Sequence, residues 1–229
     1  MTRGSSTAAA PGFPSTAADL LLPGPAGAIE LACSVPAPDV ARRGVAIVCH
    51  PNPLQGGTMF NKVVTTLDRS LNELGLATVR FNFRGVGKSE GVHDEGHGEA
   101  DDLAAITAWV RRERPDDVLW LAGFSFGSYV VLRAAAKLAP AQLILIAPPV
   151  GRWEFEGIEL PECPILIVQG EDDDVVDAQA VFAWAGAQTP PPTVVRMPET
   201  GHFFHRRLID LRGAVKNAVR DNLPPSAGA

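Results

Sequence analysis

No stretch of this sequence reaches the roughly 18 uninterrupted apolar residues that a membrane-spanning helix needs. After Arg3 the N-terminus continues with Ser, Thr, Ala, Gly and Pro rather than the apolar segment of a signal peptide. A cytoplasmic protein with no membrane partner is therefore expected. Basic residues form no stripe. Lys and Arg number 20 against 26 acids, a formal net charge of −6, so nothing is arranged to neutralise a phosphate backbone and nucleic acid is excluded as a partner. Cysteine is scarce. Cys33, Cys49 and Cys163 are odd in number, widely spaced and set among apolar residues, which reads as buried free thiols in a reducing compartment rather than a disulfide framework. Zinc-ligand spacing is absent as well.

What is present is ordinary soluble composition, 46% hydrophobic over 229 residues, enough for one full core. Residues 1–18 are small and polar, with Pro11 and Pro14, and predict a flexible leader ahead of a single domain over 19–229. Leu20, Leu21 and Leu22, then Ile29, Leu31, Cys33 and Val35 in alternation, flank a Pro-Gly-Pro-Ala-Gly turn and predict an N-terminal β-hairpin. Apolar runs at 45–49, 77–81, 118–122, 142–147, 164–169 and 193–197 predict strands, most of them covered on both faces. Helical spacing lies between them at 60–74, 99–112, 126–138, 178–187 and 204–223. This alternation predicts an α/β fold with a mostly parallel sheet and helices on both faces. In such sheets ligand chemistry sits at the C-terminal strand ends.

One strand end carries Gly123-Phe124-Ser125-Phe126-Gly127, a serine between two glycines where an apolar strand becomes a helix. A side chain at either glycine would collide with strand or helix, and the serine hydroxyl would project above the sheet at a helix N-terminus that favours negative charge. A serine nucleophile needs a base and a group to orient that base. In this strand-turn-helix arrangement the acid and the histidine follow the serine in the chain. Downstream histidines are His202 and His205, and His202 lies nearer the last strand end. Asp172, Asp173, Asp174 and Asp177 compete for the acid. Asp173, three residues past Gly170 at a strand end, is best placed to point back across the sheet top. An oxyanion hole needs two backbone N–H donors. Phe126 supplies one; in His50-Pro51-Asn52-Pro53-Leu54 the prolines have none, leaving Asn52 or Leu54, of which Asn52 is nearer the strand end.

These motifs, with Arg84-Gly85-Val86-Gly87-Lys88-Ser89 and Gly201-His202-Phe203-Phe204, resemble the α/β-hydrolase superfamily, and within it small bacterial cap-free carboxylesterases and dienelactone-hydrolase-like proteins, over residues 28–223. The resemblance implies a Ser125, Asp173, His202 triad. Dienelactone hydrolases proper use a cysteine nucleophile where this chain has Ser125. Only residues 148–163 separate two predicted strands at the usual lid position, too few for a multi-helix cap.

Two other signals are weighed and set aside. His93 and His97 stand among Asp94, Glu95, Glu99, Asp101 and Asp102, but a metalloprotease helix needs Glu directly after the first His, and Gly96 and Gly98 oppose the helix that would align the imidazoles. No metal is expected. Gly85-Val86-Gly87 lacks a third glycine at dinucleotide-loop spacing, so no cofactor is expected either. The sequence predicts a serine hydrolase acting on a small-molecule acyl substrate through an acyl-enzyme, with a homodimer compatible. An acyltransferase or thioesterase on the same triad, or a catalytically silent binding protein on this fold, are the alternatives.

Overall fold

The computed structural model describes residues 10–228. The central runs of Val, Ile, Leu and Ala form strands with no polar interruption because both faces are covered. β3 (Gly44–Cys49), β5 (Val118–Phe124), β6 (Gln142–Ile146) and β7 (Ile165–Gly170) are buried along nearly their whole length. β1 (Ala18–Gly24) and β2 (Gly27–Ser34) are the predicted hairpin, β4 (Ala77–Phe81) follows the first helix, and β8 (Thr193–Met197) closes one edge. The sheet order is β1-β2-β4-β3-β5-β6-β7-β8. β1 to β2 and β2 to β4 are antiparallel and every other pair is parallel.

Alternation along β3 divides the core. Val45, Ile47 and Cys49 face a cluster with Leu103, Ile106 and Val110 of α2 (His97–Glu113), Val130 and Val131 of α3 (Phe126–Leu138) and Val181 of α4 (Ala178–Gly186). Ala46 and Val48 face Val64, Leu67 and Leu71 of α1 (Lys62–Glu73) and Leu211 and Val215 of α5 (Leu208–Ala218). Burial of these side chains in two layers, at about 25 cal/mol per Å² of apolar surface, is what holds the sheet between its helices. Between β6 and β7 the chain forms turns but no helix, so nothing is inserted as a lid.

Four expectations are corrected. The predicted leader is too long: Pro11 accepts a hydrogen bond from the Trp109 indole at 2.7 Å, and Phe13 stacks on Trp109 with ring centroids 5.3 Å apart. The segment from Pro11 therefore packs on α2, while residues 1–9 lie outside the described residues. The last helix starts at Leu208, not 204, because Phe204 and Arg206 take positive φ (52° and 60°), which places the Phe204 ring in the core and prevents helical hydrogen bonding. Gly98 does not break the helix that contains it. It lies in the first turn of α2, where the Arg84 guanidinium fills the space a Cβ would occupy. Cys163 is half-buried rather than buried. Desolvation still pushes its thiol up to about 11 and that of Cys33 to about 12, so both are poor nucleophiles.

Candidate active site

At the end of β5 the backbone turns so sharply into α3 that Ser125 adopts φ 53°, ψ −121°. A non-glycine residue holds such a conformation only where its surroundings enforce it. Here they do. The Ser125 amide donates to the Ile146 carbonyl at 2.8 Å, tying the turn to β6. The Ser128 hydroxyl lies 2.7 Å from the Gly123 carbonyl and 2.9 Å from that of Ile146. A Cβ on Gly123 would strike the Gly127 backbone, and one on Gly127 would strike the Cys49 backbone. Both glycines are therefore required by close approach of main chain to main chain.

His202, in the loop after β8, presents Nε2 at 3.0 Å from the Ser125 hydroxyl. Its Nδ1 lies 2.9 Å from Oδ2 of Asp173, whose side chain is wholly buried. With Nδ1–H donated to the carboxylate, Nε2 is left as an acceptor facing the serine. Phe124 lies against the imidazole at 5.1 Å between centroids and fixes its plane. The other Asp173 oxygen accepts from the amides of Val175 and Val176 at 2.9 and 2.7 Å, and Gln169 donates to Oδ2 at 2.9 Å. Burial pushes this carboxyl up, but the His202 hydrogen bond and the two amides outweigh it, and the group lies below its usual value, ionised near neutrality.

The competing acids go elsewhere. Asp172 and Asp174 are exposed, and Asp177 caps α4 by accepting from the Gln179 amide at 2.9 Å. His205 is exposed and meets Phe203. In the loop after β3 the Leu54 amide donates to Oδ1 of Asn52 at 2.9 Å and is occupied, whereas the Asn52 amide donates to nothing among the described residues. The Phe126 amide begins α3 and has no helical acceptor behind it. Asn52, Ser125 and Phe126 line one cavity of about 280 Å³ with Arg152, Trp153 and Val176 among its other walls.

Two supporting residues escaped the sequence reading. Gln169 is a polar side chain ending an otherwise apolar buried strand, a signal that it bonds something at the strand end. His50 is fully buried, and desolvation lowers its imidazole to about 4, the Pro51 hydrogen bond offsetting part of this. Being neutral, it donates from Nδ1 to the Pro51 carbonyl and accepts the Phe83 amide at Nε2. Of the residues weighed for a metal, His93 meets Glu99 at 2.8 Å and His97 meets Arg133 at 2.6 Å, so the two imidazoles have separate partners. Among the described residues no helix is long and apolar enough to cross a membrane.

Residues 46–154 match the family model described as alpha/beta hydrolase fold. A lidless a/b serine hydrolase from Xanthomonas campestris superposes with a TM-score of 0.91 at 55% identity, covering 93% of this chain and 98% of that one. An alpha-beta serine hydrolase homologue from Coxiella burnetii does so with a TM-score of 0.87 at 46% identity, covering 91% and 100%. An uncharacterized protein of Rickettsia prowazekii is 37% identical over 142 residues; that match takes in 60% of this chain and only 60% of the relative's length. With two solved relatives similar over almost their entire lengths, the chain belongs to the α/β-hydrolase family.

Proposed function

We propose that this protein is a serine hydrolase that cleaves small carboxylic esters through an acyl-enzyme on Ser125. The observation that carries the reading is the continuous chain Ser125 Oγ to His202 to Asp173 at 3.0 and 2.9 Å, at the mouth of a cavity open to solvent. In this mechanism His202 Nε2 takes the hydroxyl proton as Ser125 attacks the ester carbonyl. The tetrahedral oxyanion is held by the Phe126 and Asn52 amides, a contribution of about 10²–10³ in rate per donor in comparable sites. His202 then gives the proton to the leaving alkoxide, releasing alcohol and leaving an acyl-serine. Water, deprotonated by His202, hydrolyses that ester and regenerates the hydroxyl. Asp173 stays ionised throughout and stabilises the imidazolium.

The test is labelling by a fluorophosphonate probe together with a pre-steady-state burst of p-nitrophenol from p-nitrophenyl acetate. Ser125-dependent labelling and a burst equal to the enzyme concentration are expected. A folded protein that neither labels nor turns over esters would favour a silent binding role, and transfer to added alcohols in preference to water would mark an acyltransferase.

A further inference from the structure

The cavity beside Ser125 has a single charged wall residue, Arg152, and every other lining residue is uncharged. Its base is fixed. The Arg152 and Trp153 amides both donate to the Pro149 carbonyl, at 3.1 and 3.2 Å, and the Trp153 ring is clamped against Phe126 and Tyr129 at 4.8 and 5.2 Å between centroids. Its head is not fixed. The Arg152 side chain is exposed, and among the described residues no carboxylate lies within 4.0 Å of its guanidinium. Arg43, Arg69, Arg206 and Arg220 share that lack of an acid, but of these arginines it is Arg152 that lines the Ser125 cavity, whereas Arg80, Arg84, Arg112, Arg114, Arg196, Arg207 and Arg212 are paired. The exposed Glu154 and Glu156, two and four residues on in the same loop, do not pair with it.

We propose that Arg152 selects esters bearing an anionic group, a carboxylate or phosphate a few bonds from the scissile carbonyl. This deepens, and rests on, the serine-hydrolase reading. In a chain of net charge −6 the average field repels anions, so capture of one at this cleft needs a local cation. The guanidinium is suited to it. Its planar fork binds a carboxylate or phosphate through two parallel charge-assisted hydrogen bonds, and its five donors have no other claim on them here. Among the other walls, which include the polar Gln55, the apolar Pro149, Trp153, Val175 and Val176 suit the short carbon chain between ester and anion. The anion fits on either the acyl or the alcohol side, and the experiment separates the two.

The experiment measures kcat/KM for two matched pairs: monomethyl glutarate against methyl hexanoate, with the charge on the acyl side, and acetoxyacetate against isobutyl acetate, with the charge on the alcohol side. Wild-type protein is expected to prefer the anionic member of at least one pair by about tenfold, the effect of one well-formed contact. In Arg152→Gln that ratio falls by about tenfold, in Arg152→Glu it drops below one, and high salt shrinks it in the wild type. Because the ratio compares two substrates on one enzyme, general losses of folding or activity cancel. A wild type without charge preference in either pair, or a preference unchanged in Arg152→Gln, overturns the proposal. Neutral esters turned over with no charge preference would defeat the role of Arg152 alone; absent turnover and absent Ser125 labelling would defeat the hydrolase reading and this inference with it.

Discussion

His50 Nδ1 stands 2.6 Å from the carbonyl oxygen of Pro51, and that carbonyl shares a rigid peptide plane with the amide of Asn52. The hydrogen bond therefore sets the direction of an N–H two bonds removed. The same imidazole accepts the Phe83 amide at 2.9 Å, so the loop after β3 is tied to the loop after β4 through one neutral ring. Gly57 completes the clamp by lying so close to Pro51 that any side chain there would strike its carbonyl.

This arrangement gives a pH dependence with a definite sign. The imidazole of His50 titrates near 4 in the folded protein and near 6.5 when unfolded, because burial disfavours the charged ring. Between those values the unfolded chain binds one more proton, so stability from this group is present above pH 6.5 and is lost as pH falls toward 4, by about 3 kcal/mol. Urea titrations of wild type and His50→Gln at several pH values between 7 and 4.5 should show the wild type losing stability more steeply. Parallel profiles would mean that His50 is not the titrating group.

Asn52 offers a test of backbone donation that side-chain scanning misses. Its φ of −52° is compatible with proline, which has no N–H. Asn52→Pro is expected to lower kcat about 10²–10³-fold, while Asn52→Ala, which keeps the amide and loses only the cap on Leu54, should retain most activity. Equal loss in both variants would assign the effect to the side chain.

Ser125→Ala should remove ester turnover, by a factor on the order of 10⁶ in kcat, without loss of secondary structure by circular dichroism. Substantial esterase activity in that folded variant is the result that would end the Ser125 assignment.

Among the acids, Asp173→Asn should be far more damaging to kcat than Asp172→Asn or Asp174→Asn. Its carboxylate is buried against His202, Gln169 and two amides, whereas those neighbours are exposed. Steady-state kinetics of the three variants decide it, and a larger defect at Asp172 or Asp174 would contradict the geometry.

An open cleft of about 280 Å³ with no inserted lid removes little of a long acyl chain from water. Each added CH₂ should then contribute well under the roughly 0.8 kcal/mol of full burial. A p-nitrophenyl ester series from acetyl to palmitoyl is expected to peak at short chains, with no rise in rate at micelles. A long-chain optimum would reveal a pocket built by another segment or partner.

Local pattern alone determined the alternation of strand and helix, the hairpin, the Gly123-x-Ser125-x-Gly127 turn and the order in which Asp173 and His202 follow, because each depends on a short period or on where an apolar run stops. Conformations decided by distant contacts were not legible. The apparent helical register at 204–207 yields to positive φ at Phe204, whose ring reaches the core beneath the His202 loop. The polar leader from Pro11 onward docks because Trp109, nearly a hundred residues away, offers an indole N–H and a ring face. Whether Asn52 or Leu54 keeps a free amide was settled only when the Asn52 side chain took the Leu54 N–H, and Arg152 became notable only when folding put it beside Ser125 with no acid in reach. Sequence period encodes which face of an element is buried; which side chain meets which across loops depends on the packing of elements far apart in the chain, and that is a property of the tertiary structure alone.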